Sequence, residues 1–223
     1  MEQLFFDFYK LTNTNFLNEE NFVNFAENNS AKNLLSNFFS YQDFAKNPYK
    51  SVILTGDSKS GKTHLTHIFS QKFNANHLTA NQLLKNNPLN IFLANHFYIL
   101  DDFDQIENPH NLLQIINSAY ESKALLLMVG QQIKIFNLAD LNSRLKNIFS
   151  THIKQTSLEN LKIIFTNILS RKQIFLKQNI VDNIFLKITP NYANIHFATQ
   201  IIESYFNKKD EKISINRIME YFK

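Results

Sequence analysis

Gly56 and Gly61 bracket Asp57, Ser58, Lys59 and Ser60, and Lys62, Thr63 and His64 follow at once. A run G-x-x-x-x-G-K-T suits one task, cradling phosphate. Its glycines let main-chain N–H groups close around the oxygens, and the N-terminus of a following helix adds partial positive charge. Lys62 is then expected on the β- and γ-phosphates, and the Thr63 hydroxyl on Mg²⁺. The stretch from Gly56 to His64 therefore predicts a site for ATP or ADP with Mg²⁺.

About forty residues on, the apolar run His96-Phe-Tyr-Ile-Leu ends in Asp101 and Asp102. Placed after a strand beside a phosphate loop, Asp101 is expected to hold Mg²⁺, usually through water, and Asp102 to polarise an attacking water. An apolar strand ending in two acids is also what an exposed turn looks like, so the assignment leans on the loop upstream.

These groups need elements to hold them. Ser51-Val-Ile-Leu-Thr reads as a strand breaking into the loop, with a helix from Lys62 to about Phe73. A weak strand near His77, a short helix near residues 81–85, the strand at residues 96–101 and a helix over about 111–122 follow. Ala124 to Gly130 is a continuous apolar strand, as in a parallel sheet covered on both faces. Ser30 is expected to cap an earlier helix reaching about Tyr41. Strands alternating with helices predict a three-layer α/β domain. After about Thr156 only helical spacing remains, at about 158–176, 179–188, 192–206 and 213–222. That organisation gives an arm at 1–15, a nucleotide-binding α/β domain at 16–155 and a small all-helical lid at 156–223.

Composition bounds the rest. The 223 residues carry a formal charge of +4, with lysines scattered rather than clustered, which reads as a solvated surface and not as a nucleic-acid patch. The chain has no cysteine, which excludes disulfides and thiolate chemistry and fits a cytoplasmic protein. The longest apolar run is too short for a bilayer, and the first residues do not resemble a signal peptide. Glycine is scarce at three, and arginine occurs only at Arg144, Arg171 and Arg217.

Gly-Lys-Thr-His-Leu, Ile-Leu-Asp-Asp-Phe, Leu-Met-Val-Gly130 and Asp140-Leu-Asn-Ser-Arg144-Leu, in that order and spacing, resemble the AAA+ module of the bacterial DnaA/Hda family. The resemblance runs from about residue 16 to 223 and is closest to the family's Hda-type regulators of replication initiation. It implies a P-loop AAA+ domain followed by a helical lid. It puts Gln131 at sensor 1, where the family more often has Asp, and makes Arg144 an arginine finger. A salt bridge on a helix surface is the plainer account of Arg144. Asn194 stands where a lid arginine usually meets nucleotide, and a neutral amide cannot replace that charge, so weak intrinsic hydrolysis is expected.

The family's initiators carry a helix-turn-helix domain and an added helical insertion, and neither is expected here, so sequence-specific DNA binding is not. Gln3, Leu4, Phe6 and Phe8 resemble the peptide by which Hda-type proteins hold the DNA polymerase sliding clamp. An arm folded onto its own core is the equal alternative. The implied partners are DnaA and the clamp, with a homo-oligomer possible and no membrane. Two further readings stay open: a stand-alone ATPase that loads a helicase, and a non-hydrolysing, nucleotide-stabilised assembly protein.

Overall fold

In a computed structural model, the described residues are 17, 19, 22–38, 49–58, 60–79, 83 and 91–206. The arm at 1–15, Lys59, most of the short helix expected near 81–85 and the helix expected at 213–222 lie outside them. The chain divides into two compact units, Met1–Lys154 and Gln155–Lys223.

In the first unit the elements run α1 (Ala26–Phe38), β1 (Ser51–Gly56), α2 (Lys62–Phe73), β2 (Asn76–Leu78) and β3 (Phe97–Leu100). A 3₁₀ turn (Phe103–Gln105), α3 (Pro109–Glu121), β4 (Leu125–Gly130), α4 (Ala139–Asn147) and β5 (Phe149–Ile153) complete it. The strands form one parallel sheet in the order β2-β3-β4-β1-β5.

The apolar strands explain the layers. Every residue of β1 and of β4 is buried, and alternate side chains go to opposite faces. Ile53, Tyr98, Leu100, Leu126 and Met128 meet Leu112, Ile115, Ile116 and Ala119 of α3 and Leu141 and Leu145 of α4. Val52, Leu54, Ile99, Leu127 and Val129 meet Ala31 and Leu35 of α1 and Leu65 and Phe69 of α2. A sheet covered on both faces is the α/β layering that the strand–helix alternation predicts.

Helix ends follow local chemistry. Helix α3 starts on Pro109 with the Asn108 side chain accepting from the His110 N–H, and α2 ends at Asn74 in the left-handed region, φ 50°. Helix α1 begins at Ala26, ahead of the Ser30 cap, because the Asn28 side chain accepts from the Phe25 N–H at 3.0 Å.

In the second unit the described elements are all helices: α5 (Leu158–Arg171), α6 (Gln178–Lys187) and α7 (Tyr192–Phe206). Helix α5 stops short of the expected Leu176. Gln173 turns left-handed, φ 61°, and the Ile174 N–H reaches back to the Leu169 carbonyl at 2.9 Å, so Ile174 is buried from outside the helix. Phe165 and Phe185 pack edge to face at 5.5 Å between α5 and α6. No helix among the described residues is long and apolar enough to cross a membrane.

His196, on α7, is buried, and that burial lowers its pKa from 6.5 to about 4; the charge of Lys172 acts the same way and that of Glu203 opposes it. The unfolded chain therefore takes up a proton between pH 6.5 and 4 that the native chain refuses. Stability from this group is full above 6.5 and is lost as pH falls towards 4. Urea titrations of wild type and His196→Gln should show a shallower loss for the variant across that window, the difference reaching ~3 kcal/mol. Parallel curves would remove His196 as the cause.

Candidate functional site

Strand β1 delivers the loop, and its neighbours pin it. The Gly56 N–H donates to the Gln131 carbonyl at the end of β4 (3.3 Å), and the Asp57 N–H donates to Ile153 of β5 (3.2 Å). A Cβ on Gly56 would lie 2.5 Å from the Ile153 carbonyl oxygen, so no side chain fits there. The loop closes on itself through Ser60 N–H to the Asp57 carbonyl at 3.2 Å, and Gly61 enters α2 with φ 98°, a conformation that glycine adopts without penalty.

Lys62 opens α2, and its ammonium donates to the Gly56 and Asp57 carbonyls at 2.7 and 2.8 Å. Burial lowers its pKa; the carboxylates of Asp104, Asp57 and Asp102, in that order, oppose the shift. The Ser60 hydroxyl is buried without a hydrogen-bond partner among the described residues, and Thr63 is exposed. A pinned loop, a lysine held over it, an orphaned hydroxyl and a position closed to any side chain fit a phosphate group. Of the stretch read from the sequence, Gly56, Asp57, Ser58, Ser60, Gly61, Lys62 and Thr63 are brought together here. His64 is buried instead against Phe22, rings edge to face at 5.3 Å.

The acidic pair separates. Asp101 follows β3 and turns to β2, its Oδ2 3.5 Å from Nδ1 of His77. Burial raises its pKa, and His77 acts against that. Asp102 is exposed, in the left-handed region at φ 53°, and heads the 3₁₀ turn. No group of three or more His, Cys, Asp and Glu side chains able to hold a metal occurs among the described residues. A Mg²⁺ ion at Thr63 or Asp101 would therefore need oxygens from the nucleotide as well.

Gln131 has an exposed side chain and engages the loop through its main chain. Arg144 lies on α4 with Nε 3.3 Å from Oδ1 of Asp140, one helical turn back, and its guanidinium sits 5.9 Å from the Tyr49 ring centre. Asn194 belongs to the second unit, where its side-chain amide donates to the Thr189 carbonyl at 2.9 Å.

Sequence reasoning passed over Asp104. It is buried, its Oδ2 accepts from the Gln131 N–H at 3.1 Å, and the Lys134 ammonium donates to its main-chain carbonyl. The run Asp101-Asp102-Phe103-Asp104 held the only signal, and a third acid after a strand is most often solvated.

No protein-family model matches the chain, and no curated protein matches it. Similarity to solved structures is one of fold. Domain III of the Thermotoga maritima replication initiation protein DnaA matches with a TM-score of 0.63 at 16% identity, over 92% of this chain and 94% of that one. AMPPCP-bound DnaA from Aquifex aeolicus gives 0.60 at 19%, over 84% and 65%. A structure described as a DNA replication initiation factor gives 0.60 at 18%, over 83% and 63%. The chain thus spans less than two thirds of those two longer proteins. The architecture is the AAA+ fold of DnaA domain III, a parallel α/β sheet domain followed by a helical unit.

Gly130 ends β4 against the acidic turn, where a Cβ would meet Asp104 Oδ1 at 2.5 Å and Phe103 Cε1 at 2.9 Å. Gly130→Ala should destabilise the fold by ~1–3 kcal/mol in urea titrations, the range for overpacking. The Gly130→Ala/Asp104→Ala double variant should fall short of additivity, because the second change removes part of the clash. A full additive loss would place the strain elsewhere.

Proposed function

We propose that this chain is a nucleotide-gated AAA+ regulator of chromosomal replication initiation, related in role to the Hda-type proteins it resembles. The observation that carries the reading is the ammonium of Lys62 held over a loop pinned between β4 and β5, within a fold like that of DnaA domain III. The AMPPCP in the Aquifex DnaA structure supports ATP or ADP as the ligand.

In this reading the loop N–H groups, Lys62 and the Ser60 hydroxyl bind the phosphates, and Thr63 with Asp101 holds Mg²⁺. Asp102 takes the place of the group that orients water. When bound, Mg²⁺ and the nucleotide would supply the charged phosphoryl group against which these residues act. Gln131 serves as sensor 1, and Asn194, lacking charge, leaves hydrolysis in cis weak. Arg144 is presented to ATP held by DnaA and promotes hydrolysis in trans, its fork matching phosphate oxygens. Gln3, Leu4, Phe6 and Phe8, outside the described residues, dock on the sliding clamp.

A second reading has one observation in its favour. Arg144 already pairs with Asp140 and lies by Tyr49, as it would in a nucleotide-stabilised assembly protein that does not act on a partner's ATP.

Two measurements test this. ADP at a hundredfold excess over Kd should stabilise wild type by ~3 kcal/mol, and Lys62→Ala should abolish the thermal shift; equal shifts in both proteins would defeat the nucleotide site. In a DnaA–ATP hydrolysis assay with clamp present, wild type should accelerate turnover ~10³-fold or more, as fingers supplied by a partner do. Arg144→Ala should fold, bind ADP and lose that acceleration, with Arg144→Lys recovering little. Acceleration retained by a folded Arg144→Ala protein would remove Arg144 as the finger, and no acceleration by wild type would leave the assembly reading standing.

A further inference from the structure

Three strand ends meet beside the phosphate loop, and one buried carboxylate ties them together. Asp104 sits in the 3₁₀ turn after β3, only 7% exposed. Its Oδ2 accepts from the Gln131 N–H just past β4 at 3.1 Å. The carbonyl of the same residue, Gln131, accepts from the Gly56 N–H at the end of β1 at 3.3 Å. The carbonyl of Gly56 in turn accepts from the Lys62 ammonium at 2.7 Å. Four residues thus form an unbroken hydrogen-bonded series from the acidic turn to the lysine of the loop.

From this series we propose that Asp104 is a positioning residue of the phosphate loop, acting through the main chain of Gln131 and Gly56. The inference rests on the nucleotide reading for its consequence, but the series itself does not depend on it.

The choice of residue supports a role beyond filling space. A buried carboxylate is costly unless it is engaged, and an ionised acceptor makes a stronger bond to an N–H than a neutral one. Here Oδ2 is used and Oδ1 has no hydrogen-bond partner among the described residues. Space for it exists because residue 130 is glycine: a Cβ there would stand 2.5 Å from Oδ1. Two cations face the turn. Lys134 donates to the Asp104 carbonyl, and of the carboxylates opposing the burial of Lys62 the strongest is that of Asp104. Asp101 takes no part, being turned to His77 on the far side of β3.

The side chain has two separable properties, an acceptor and a charge. Positioning needs the acceptor. Asp104→Asn keeps an oxygen for the Gln131 N–H and removes the charge; Asp104→Ala removes both; Asp104→Ser has a hydroxyl on a side chain one bond too short to replace the carboxylate oxygen. The experiment uses the full chain, with circular dichroism to confirm folding of each variant. Amide hydrogen exchange at Gln131 and Gly56 is followed by NMR without nucleotide, and ADP affinity is measured by calorimetry alongside a Lys62→Ala control.

The expected result is faster exchange at both amides in Asp104→Ala, with ADP binding weakened about tenfold, the scale of one charge-assisted bond. Asp104→Asn should restore protection at Gly56 and bring ADP affinity to within about twofold of wild type. If Asp104→Ala does not fold, Asp104→Ser takes its place, and the Asn variant still has to protect Gly56. Three results would overturn the proposal: Gly56 exchange unchanged when Gln131 exchange rises, an Asn variant as impaired as Ala at Gly56, or wild-type ADP affinity in a folded Ala variant. Should wild type bind ADP no better than Lys62→Ala, the nucleotide reading fails, while the exchange data still decide the relay.

Discussion

Everything in the first unit depends on β4 being buried on both faces and hydrogen-bonded along both edges. A strand as apolar as Leu125–Gly130 cannot face water, and once dry its main-chain groups must all be paired. Pairing to β3 on one side and β1 on the other sets the register: Leu100 lies opposite Met128, and Thr55 opposite Gly130. The residues just past these three strands are then forced together, and they are the acidic turn, Gln131 and the phosphate loop. These segments lie outside the carboxyl ends of the strands, the side on which open parallel α/β sheets bind their ligands.

The same crowding creates an electrostatic problem at Lys62. Burial favours losing its proton, whereas phosphate binding needs the ammonium. Asp104, Asp57 and Asp102 act against that shift without cancelling it, so the pKa of Lys62 stays below its ordinary value. Two carbonyls from the loop also accept from the ammonium. The aim of the ammonium is fixed by the loop's own main chain, and the acids beside the loop limit the loss of basicity that burial imposes.

How far the sequence foretold this differs by element, for physical reasons. Helices α2 and α7 run from Lys62 to Phe73 and from Tyr192 to Phe206, as their spacing indicates. Strand β4 starts one residue later than Ala124. Strand β5 was not legible, because Phe149-Ser-Thr-His-Ile is an edge strand with only Ile153 buried and offers no apolar signal. The loop pattern from Gly56 to Thr63 could be read because it is local, a motif carried by consecutive residues. Partners such as His77 for Asp101 and Gln131 for Asp104 depend on register between strands 20 or more residues apart, which no linear pattern encodes. Asn28, whose side chain starts α1 early, is local but reads as an ordinary helix residue.

The pairing of Arg144 with Asp140 bears on which reading of that arginine is reasonable, and magnitudes decide. Asp140 is more than half exposed and one turn away on the same helix. Exposed ion pairs at this spacing are worth ~0.3–0.5 kcal/mol, and a cation near a ring at an exposed site adds ~0.5–1 kcal/mol. Hydrogen bonds to charged groups are worth ~1.5–3 kcal/mol each, and an arginine fork makes two to phosphate. The contacts seen within the chain are therefore weaker than those a phosphate would offer. They hold the side chain in one place at small cost without committing it, so the observed pairing does not weigh against presentation to a partner. What it does require is that any phosphate accepting Arg144 come close enough to displace Asp140, whose carboxylate would otherwise repel it. A partner surface meeting α4 must bring its own charge to that aspartate, or leave it facing solvent.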